Sequence, residues 1–216
     1  MSGILQALMR DFRSYGPNWP VANIGDAYGG GFFAGQISTA GNGIADYNLV
    51  VGPVASAQST KQWKIVNTAT VGTTSFIDGP ANSAAMNDVS HPAAQFCKAV
   101  NVGFFTDWYM PAKNELEVCY YNLKPTTTPN STFYGINTNA VPARASNYTA
   151  GNPAQTSAAA FQSGGTEAFD AAFYWSSTQN MVYTSYAWQI FFSYGYTNPA
   201  IKTNSRLVRA IRRVAV

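Results

Sequence analysis

Charged side chains are scarce: they make up 11% of the 216 residues, against about 25% in an average soluble chain. The surface must therefore be covered by Asn, Thr, Ser, Gln and Tyr, which is usual for secreted, adhesive or virion proteins and unusual for a cytosolic enzyme. A net charge of +3 is too small to argue for nucleic acid. Histidine occurs once. His91 stands beside Pro92 at a helix start and reads as a structural polar residue, not a base or a ligand. The two cysteines, Cys97 and Cys119, are too few to staple a domain that can bury a full core. They form no C-x-x-C pair and are expected to be free and buried, since a disulfide would need their segments side by side. Neither a phosphate-binding loop, a Ser-His-Asp set nor a G-x-S-x-G elbow is present, so no enzyme, cofactor or metal is expected. The start, MSGILQALMRDF, lacks both an early basic residue and a long apolar run, so neither a signal peptide nor membrane insertion is expected.

What is present is concentrated between Tyr174 and Val214, the densest aromatic stretch of the chain. Trp188, Ile190 and Phe192 alternate there with Gln189, Phe191 and Ser193, the period of two of a strand. A second strand-like run, Leu207 to Val214, follows a turn at Asn198 and Pro199, so a long hairpin is expected. Upstream, Ile4, Leu5, Leu8, Met9 and Phe12 fall at helical spacing and define residues 1–20 as a helical anchor segment ahead of one domain, 21–216. Too short to be stable alone, that helix is expected to dock on another chain through Leu5, Leu8, Met9 and Phe12. The glycines of Ala27 to Ile37 read as a tight turn into a first strand; Tyr47 to Val51 and Gln62 to Val66 follow as strands, and Thr68 to Asp88 is expected to be mostly loop. Helices are expected near His91 to Val100 and from Pro111 to Leu123, where Pro125 closes the second. Lys124 to Ala172 reads as a long Thr-, Ala- and Asn-rich loop with a helical turn near Ser157 to Gln162.

Trp108, Met110, Pro111, Glu115 and Leu116 resemble the W-x-L-P-x-x-x-E-L signature of the Lcl C-terminal domain family, a group of C-type-lectin-like domains. Tyr174-Trp175-Ser176-Ser177-Thr178, then Ala187-Trp188, Phe192 and Gly195, then Val208-Arg209-Ala210-Ile211-Arg212 match its later elements in order. The resemblance implies an α+β, C-type-lectin-like fold: two helices flanking a small antiparallel sheet, with long loops as the ligand surface. Ala112 departs from the family's usual Ser or Thr and should cost the helix start about 1 kcal/mol of capping. Trp108, Trp175 and Trp188 read as core, with sugar stacking as the alternative. No Asp or Glu follows Asp170, so a lectin-type calcium site is not expected. Formylglycine-generating oxidases share a related fold and use two cysteines, but Cys97 and Cys119 fall in expected helices without a base. The basic residues Lys202, Arg206, Arg209, Arg212 and Arg213 read as internally paired, with a polyanion-binding stripe as the alternative.

The resulting expectation is a phage virion protein, assembled in the host cytoplasm: a tail-fibre or receptor-binding component, homo-oligomeric and held by other virion proteins through its N-terminal helix. It would recognise a host surface glycan or protein without calcium through Asn180, Tyr183, Tyr186, Tyr194, Tyr196 and Asn198, because tyrosine combines a large stacking face with few rotatable bonds. A structural virion protein, such as a capsid decoration or tail adaptor, is the alternative, and a bacterial surface adhesin the third.

Overall fold

The computed structural model describes residues 22–216; Leu5, Leu8, Met9 and Phe12, and the docking expected of them, lie outside the described residues. The architecture corrects the expected one. Instead of two helices flanking a small sheet, the described residues form two five-stranded sheets with short helices between and beside them.

The first sheet holds β1 (Ala27–Tyr28), β2 (Gly31–Ile37), β3 (Tyr47–Val51) and β10 (Ile211–Ala215) in that order, with β5 (Ala140–Val141) paired to the far end of β2. The second runs β4 (Gln58–Gln62), β9 (Ser205–Arg209), β6 (Phe173–Gln179), β7 (Tyr186–Phe191) and β8 (Tyr196–Ile201), all antiparallel except the β6–β9 pair. Helices α1 (Val54–Ala57), α2 (Gly79–Ala85), α3 (Pro92–Lys98) and α4 (Lys113–Leu123) complete the frame. The glycine-rich turn is as expected: Gly29 and Gly30, at φ 54° and 84°, make the two-residue link that matches strand twist between β1 and β2. The third strand lies four residues earlier than expected, at Gln58–Gln62, and α2 occupies part of the stretch read as loop.

The C-terminal expectation fails in an informative way. Asn198 and Pro199 are not a turn but sit inside β8, an edge strand, where a proline removes no ladder hydrogen bond from a neighbour. Leu207 to Val214 is not one strand either. It breaks at Ala210, whose N–H donates to Ala57 O at 2.8 Å and whose carbonyl accepts from Gly52 N at 2.9 Å. The chain thus passes from the second sheet into the first, and residues on either side of the crossing enter two hydrophobic cores. One core joins Leu49, Val51 and Ile211 to Leu116, Cys119 and Tyr120 of α4 and to Tyr174, Ile190 and Phe192. The other joins Val50 and Val208 to Trp63, Trp108, Trp175 and α3. Both cysteines are free and buried.

Helix α4 begins two residues after Pro111. Ala112 offers no side-chain cap, yet the exposed helix N–H groups are not orphaned. Lys113 N donates to Thr178 Oγ1 at 3.0 Å, Asn114 N to Phe76 O at 2.8 Å, and Glu115 reaches back to Ala112 N at 2.7 Å. The missing serine is therefore replaced by a threonine from β6, which offsets the expected capping loss.

A second two-residue turn, Gly103-Phe104, links Val102 and Phe105 with both residues at positive φ, 62° and 67°. A phenylalanine in the left-handed region costs about 1–2 kcal/mol, and its ring is 91% exposed, so packing recovers little of that. Phe104→Asn is expected to raise stability by about 1 kcal/mol and the melting temperature by roughly 2–4 °C. A fall in the thermal midpoint would show that the ring makes a stabilising contact after all.

Candidate binding surface

The six residues expected to bind fall into separate groups. Asn180 and Tyr183 belong to the β6–β7 loop and Tyr186 opens β7; Asn180 Oδ1 accepts from the backbone N–H of Val182 and Tyr183, which leaves the Tyr183 ring 65% exposed and 6.2 Å from that of Tyr186. Tyr194 lies in the β7–β8 turn and Tyr196 opens β8. The six residues of β7 separate these two ends by about 17 Å at a strand's rise per residue. Asn198 lies mid-strand, its Oδ1 accepting from Gln189 Nε2 at 3.0 Å.

At the Tyr194 end the structure gathers more aromatic surface than the sequence suggested. Phe173, Phe191 and Tyr196 are cross-strand neighbours on one face of β6, β7 and β8. Ring centroids run Phe173–Phe191 4.7 Å, Phe191–Tyr194 5.0 Å and Tyr134–Tyr196 5.4 Å, all half-buried. Phe133 beside them is 81% exposed. Arg206 lies 5.4 Å from the Phe173 ring and donates to Gln189 Oε1, giving the aromatic face a polar border. Because β8 is an edge, the surface turns around it at Tyr134 and meets a cavity of about 210 Å³ lined by Lys113, Glu117, Phe133, Tyr134, Ile136 and Thr197. Lys113 Nζ sits 4.9 Å from the Phe76 ring and 5.2 Å from Trp188; burial pushes its pKa down, and Glu117 opposes that shift. Glu117 itself accepts from Arg144 and, at 2.5 Å each, from Asn137 Nδ2 and Tyr148 Oη. It ties the long loop to α4. The signal for this surface was in the sequence as the outward phase of β7, Phe191, together with Phe133-Tyr134 in the polar loop. The pairing that brings them together was not.

Residues 56–212 match the Lcl C-terminal domain. The chain belongs to that family. Comparison with curated proteins finds no match. Among solved structures, a fimbrial protein from Bacteroides ovatus is similar at 16% identity and a TM-score of 0.44, over 76% of this chain and 35% of that one. The chain thus spans about a third of that protein's length.

The motifs that mark this Lcl C-terminal domain build its frame. Ser176 Oγ donates to Trp188 O, Ser177 N to Pro111 O, and Thr178 Oγ1 to Ser75 O, so the Y-W-S-S-T strand stitches two loops and α4 to the sheet. Gly195, at φ 74°, closes the β7–β8 turn where a Cβ would lie 2.6 Å from the Tyr120 ring and 2.8 Å from that of Tyr148. Trp108 and Trp175 are buried, while Trp188 is half-buried against Phe76. On either side of Ala210, Arg209 pairs with Glu167 and Arg212 with Asp107, each at 2.8 Å or less, and Lys202 is fully buried. Arg209, Arg212 and Lys202 are thus used internally, while Arg206, half-buried, donates to Gln189 Oε1. His91 is buried between Thr70 and Asp88. Among the described residues no three His, Cys, Asp or Glu side chains gather as a metal site, and no helix is long and apolar enough to cross a membrane.

Proposed function

We propose that this Lcl C-terminal domain is an adhesin-like surface recognition module that binds a glycan or protein on a cell through the aromatic face around Tyr134, Tyr194 and Tyr196. The row of half-exposed rings from Phe173 to Tyr134, continuous with the Lys113 cavity, carries this reading. Aromatic faces bind sugar rings and apolar side chains with little loss of side-chain entropy. Recognition without catalysis accords with the burial of the nucleophiles, which pushes the Cys119 thiol up to about 12. Display on a virion, in a tail fibre or receptor-binding component, belongs to the same proposal and is supported by the low charge density of the chain.

Tyr134→Ala, Tyr194→Ala and Tyr196→Ala together are expected to weaken binding to a glycan array or to whole cells at least tenfold, about 1.4 kcal/mol. The thermal midpoint should fall by only a few degrees. Tyr183→Ala, at the far loop, serves as the control and is expected to leave binding unchanged. Full retention of binding in the triple variant rules out this surface. If instead assembly fails while binding per assembled particle stands, the rings are a subunit contact and the structural-protein reading holds.

A further inference from the structure

Strand β10 has a backbone edge that the fold leaves open. Its pairing with β3 puts Arg212 opposite Val50 and Val214 opposite Asn48, and Ala210 O and Val216 N bond to Gly52 and Asp46 in the same phase. In an antiparallel pair alternate residues bond to the neighbour, so Ile211, Arg213 and Ala215 direct their N–H and C=O groups to the other side. Ile211 finds Tyr109 there, with reciprocal bonds of 2.8 and 3.0 Å. Arg213 and Ala215 find no backbone partner among the described residues.

Beyond the Tyr109–Ile211 pair the two chains diverge around an open groove of about 560 Å³. Tyr47 and Arg213 line it together with Ala84, Lys98, Asp107, Trp108 and Tyr109. Asp107 is paired with Arg212 and Arg213 with Glu115, which leaves one charge of each sign, Asp78 and Lys98, among the lining residues. The groove is therefore neutral overall and partly aromatic.

We propose that this groove receives an extended, uncharged peptide segment of a partner protein, which adds to the first sheet as the next neighbour of β10. Two unpaired N–H and two unpaired C=O groups in strand geometry, open to solvent at Ala215, form a template that another backbone matches at its own repeat and a compact ligand does not. Alternate side chains of the incoming strand would face Trp108 and Tyr109, the others solvent. The groove lies apart from the aromatic face of β6 to β8 and shares no lining residue with it, so the two sites are independent.

The test is an amide-resolved NMR titration with blocked octapeptides alternating Val and Thr. The Arg213 and Ala215 amides are expected to shift and to gain protection from hydrogen exchange, those of Arg212 and Val214 to be protected already. Ala215→Pro removes only an outward N–H and should leave the β3–β10 pairing folded; Ala84→Trp fills the groove and leaves the edge intact. Each is expected to weaken peptide binding at least tenfold. If the panel leaves the Arg213 and Ala215 amides unmoved, or if bound peptide is indifferent to both substitutions, the proposal is overturned.

Discussion

Glu115→Ala is expected to destabilise the domain by about 3–5 kcal/mol, the cost of breaking a buried ion pair from one side. Glu115 is fully buried and accepts from Arg213 Nε at 2.8 Å, Tyr109 Oη at 2.6 Å, Ala112 N at 2.7 Å and Gly79 N at 3.2 Å. Its removal strands a guanidinium, a phenol and two helix-terminal N–H groups at once, joining α2, α4 and β10 in a single loss. For a domain of this size the melting temperature should fall by roughly 6–20 °C. Arg213→Met in the same background should recover part of the loss, because the uncompensated charge leaves with it; a double-mutant cycle is expected to show coupling above about 1 kcal/mol. A cost for Glu115→Ala under about 1 kcal/mol, or strictly additive effects, would mean that the cluster does not hold the sheet to the helices.

That cluster shows how much of the molecule was legible beforehand. Glu115 and Leu116 could be placed at a helix start from the motif, and β7 from its period of two, because both patterns are local. Ser176, Ser177 and Thr178 could not be recognised as interior, since they are polar by composition and buried only because loops and a helix terminus supply them with partners. The break at Ala210 was equally hidden: no glycine or proline marks it, and it arises from hydrogen bonds to Gly52 and Ala57, more than 150 residues away in sequence. Missing that break fused two strands of two sheets into one arm of an expected hairpin, while the small sheet with flanking helices was what the family resemblance implied. The proposed binding surface was hidden by the same limit. Tyr194 and Tyr196 are local to one turn, but their ring neighbours Phe173 and Tyr134 are brought in by strand pairing and by the long loop. Tyr183, close in sequence, is carried to the opposite end of β7.

Lys202 supplies the second large effect, a dependence of stability on pH above neutrality. Its amine is fully buried, donates to Thr68 O at 2.9 Å and to Gln179 Oε1 at 2.5 Å, lies 4.3 Å from the Trp63 ring, and has no carboxylate partner among the described residues. Burial, with repulsion from Lys64, pushes its pKa down from 10.5 to about 7. Between those two values the unfolded chain holds a proton that the folded chain has released. Stability therefore rises with pH from about 7 toward 10.5, and below about 7 the full cost of charging the buried amine is present. His91 acts in the same sense at lower pH, its imidazole also pushed down by burial, so that stability is lost as pH falls below its ordinary 6.5. The buried thiols of Cys97 and Cys119, pushed up by burial, act in the opposite sense and set the upper limit, since above about pH 8.5 only the unfolded chain ionises them and stability falls again; buried tyrosines such as Tyr120 and Tyr174 add to the fall above about pH 10. The clean window is thus about pH 7 to 8. Urea unfolding across it should show a gain of up to about 1.4 kcal/mol per pH unit, roughly 1 kcal/mol in all. Lys202→Met should flatten the profile and raise the midpoint at pH 7.5, because Gln179 Oε1 keeps its bond from Thr70 N at 2.7 Å and the apolar side chain stays against Trp63. Lys113 and Lys124, also pushed down by burial, act in the same sense, so a wild-type profile without slope, or one whose slope is undiminished in Lys202→Met, would show that the amine of Lys202 keeps its proton in the fold.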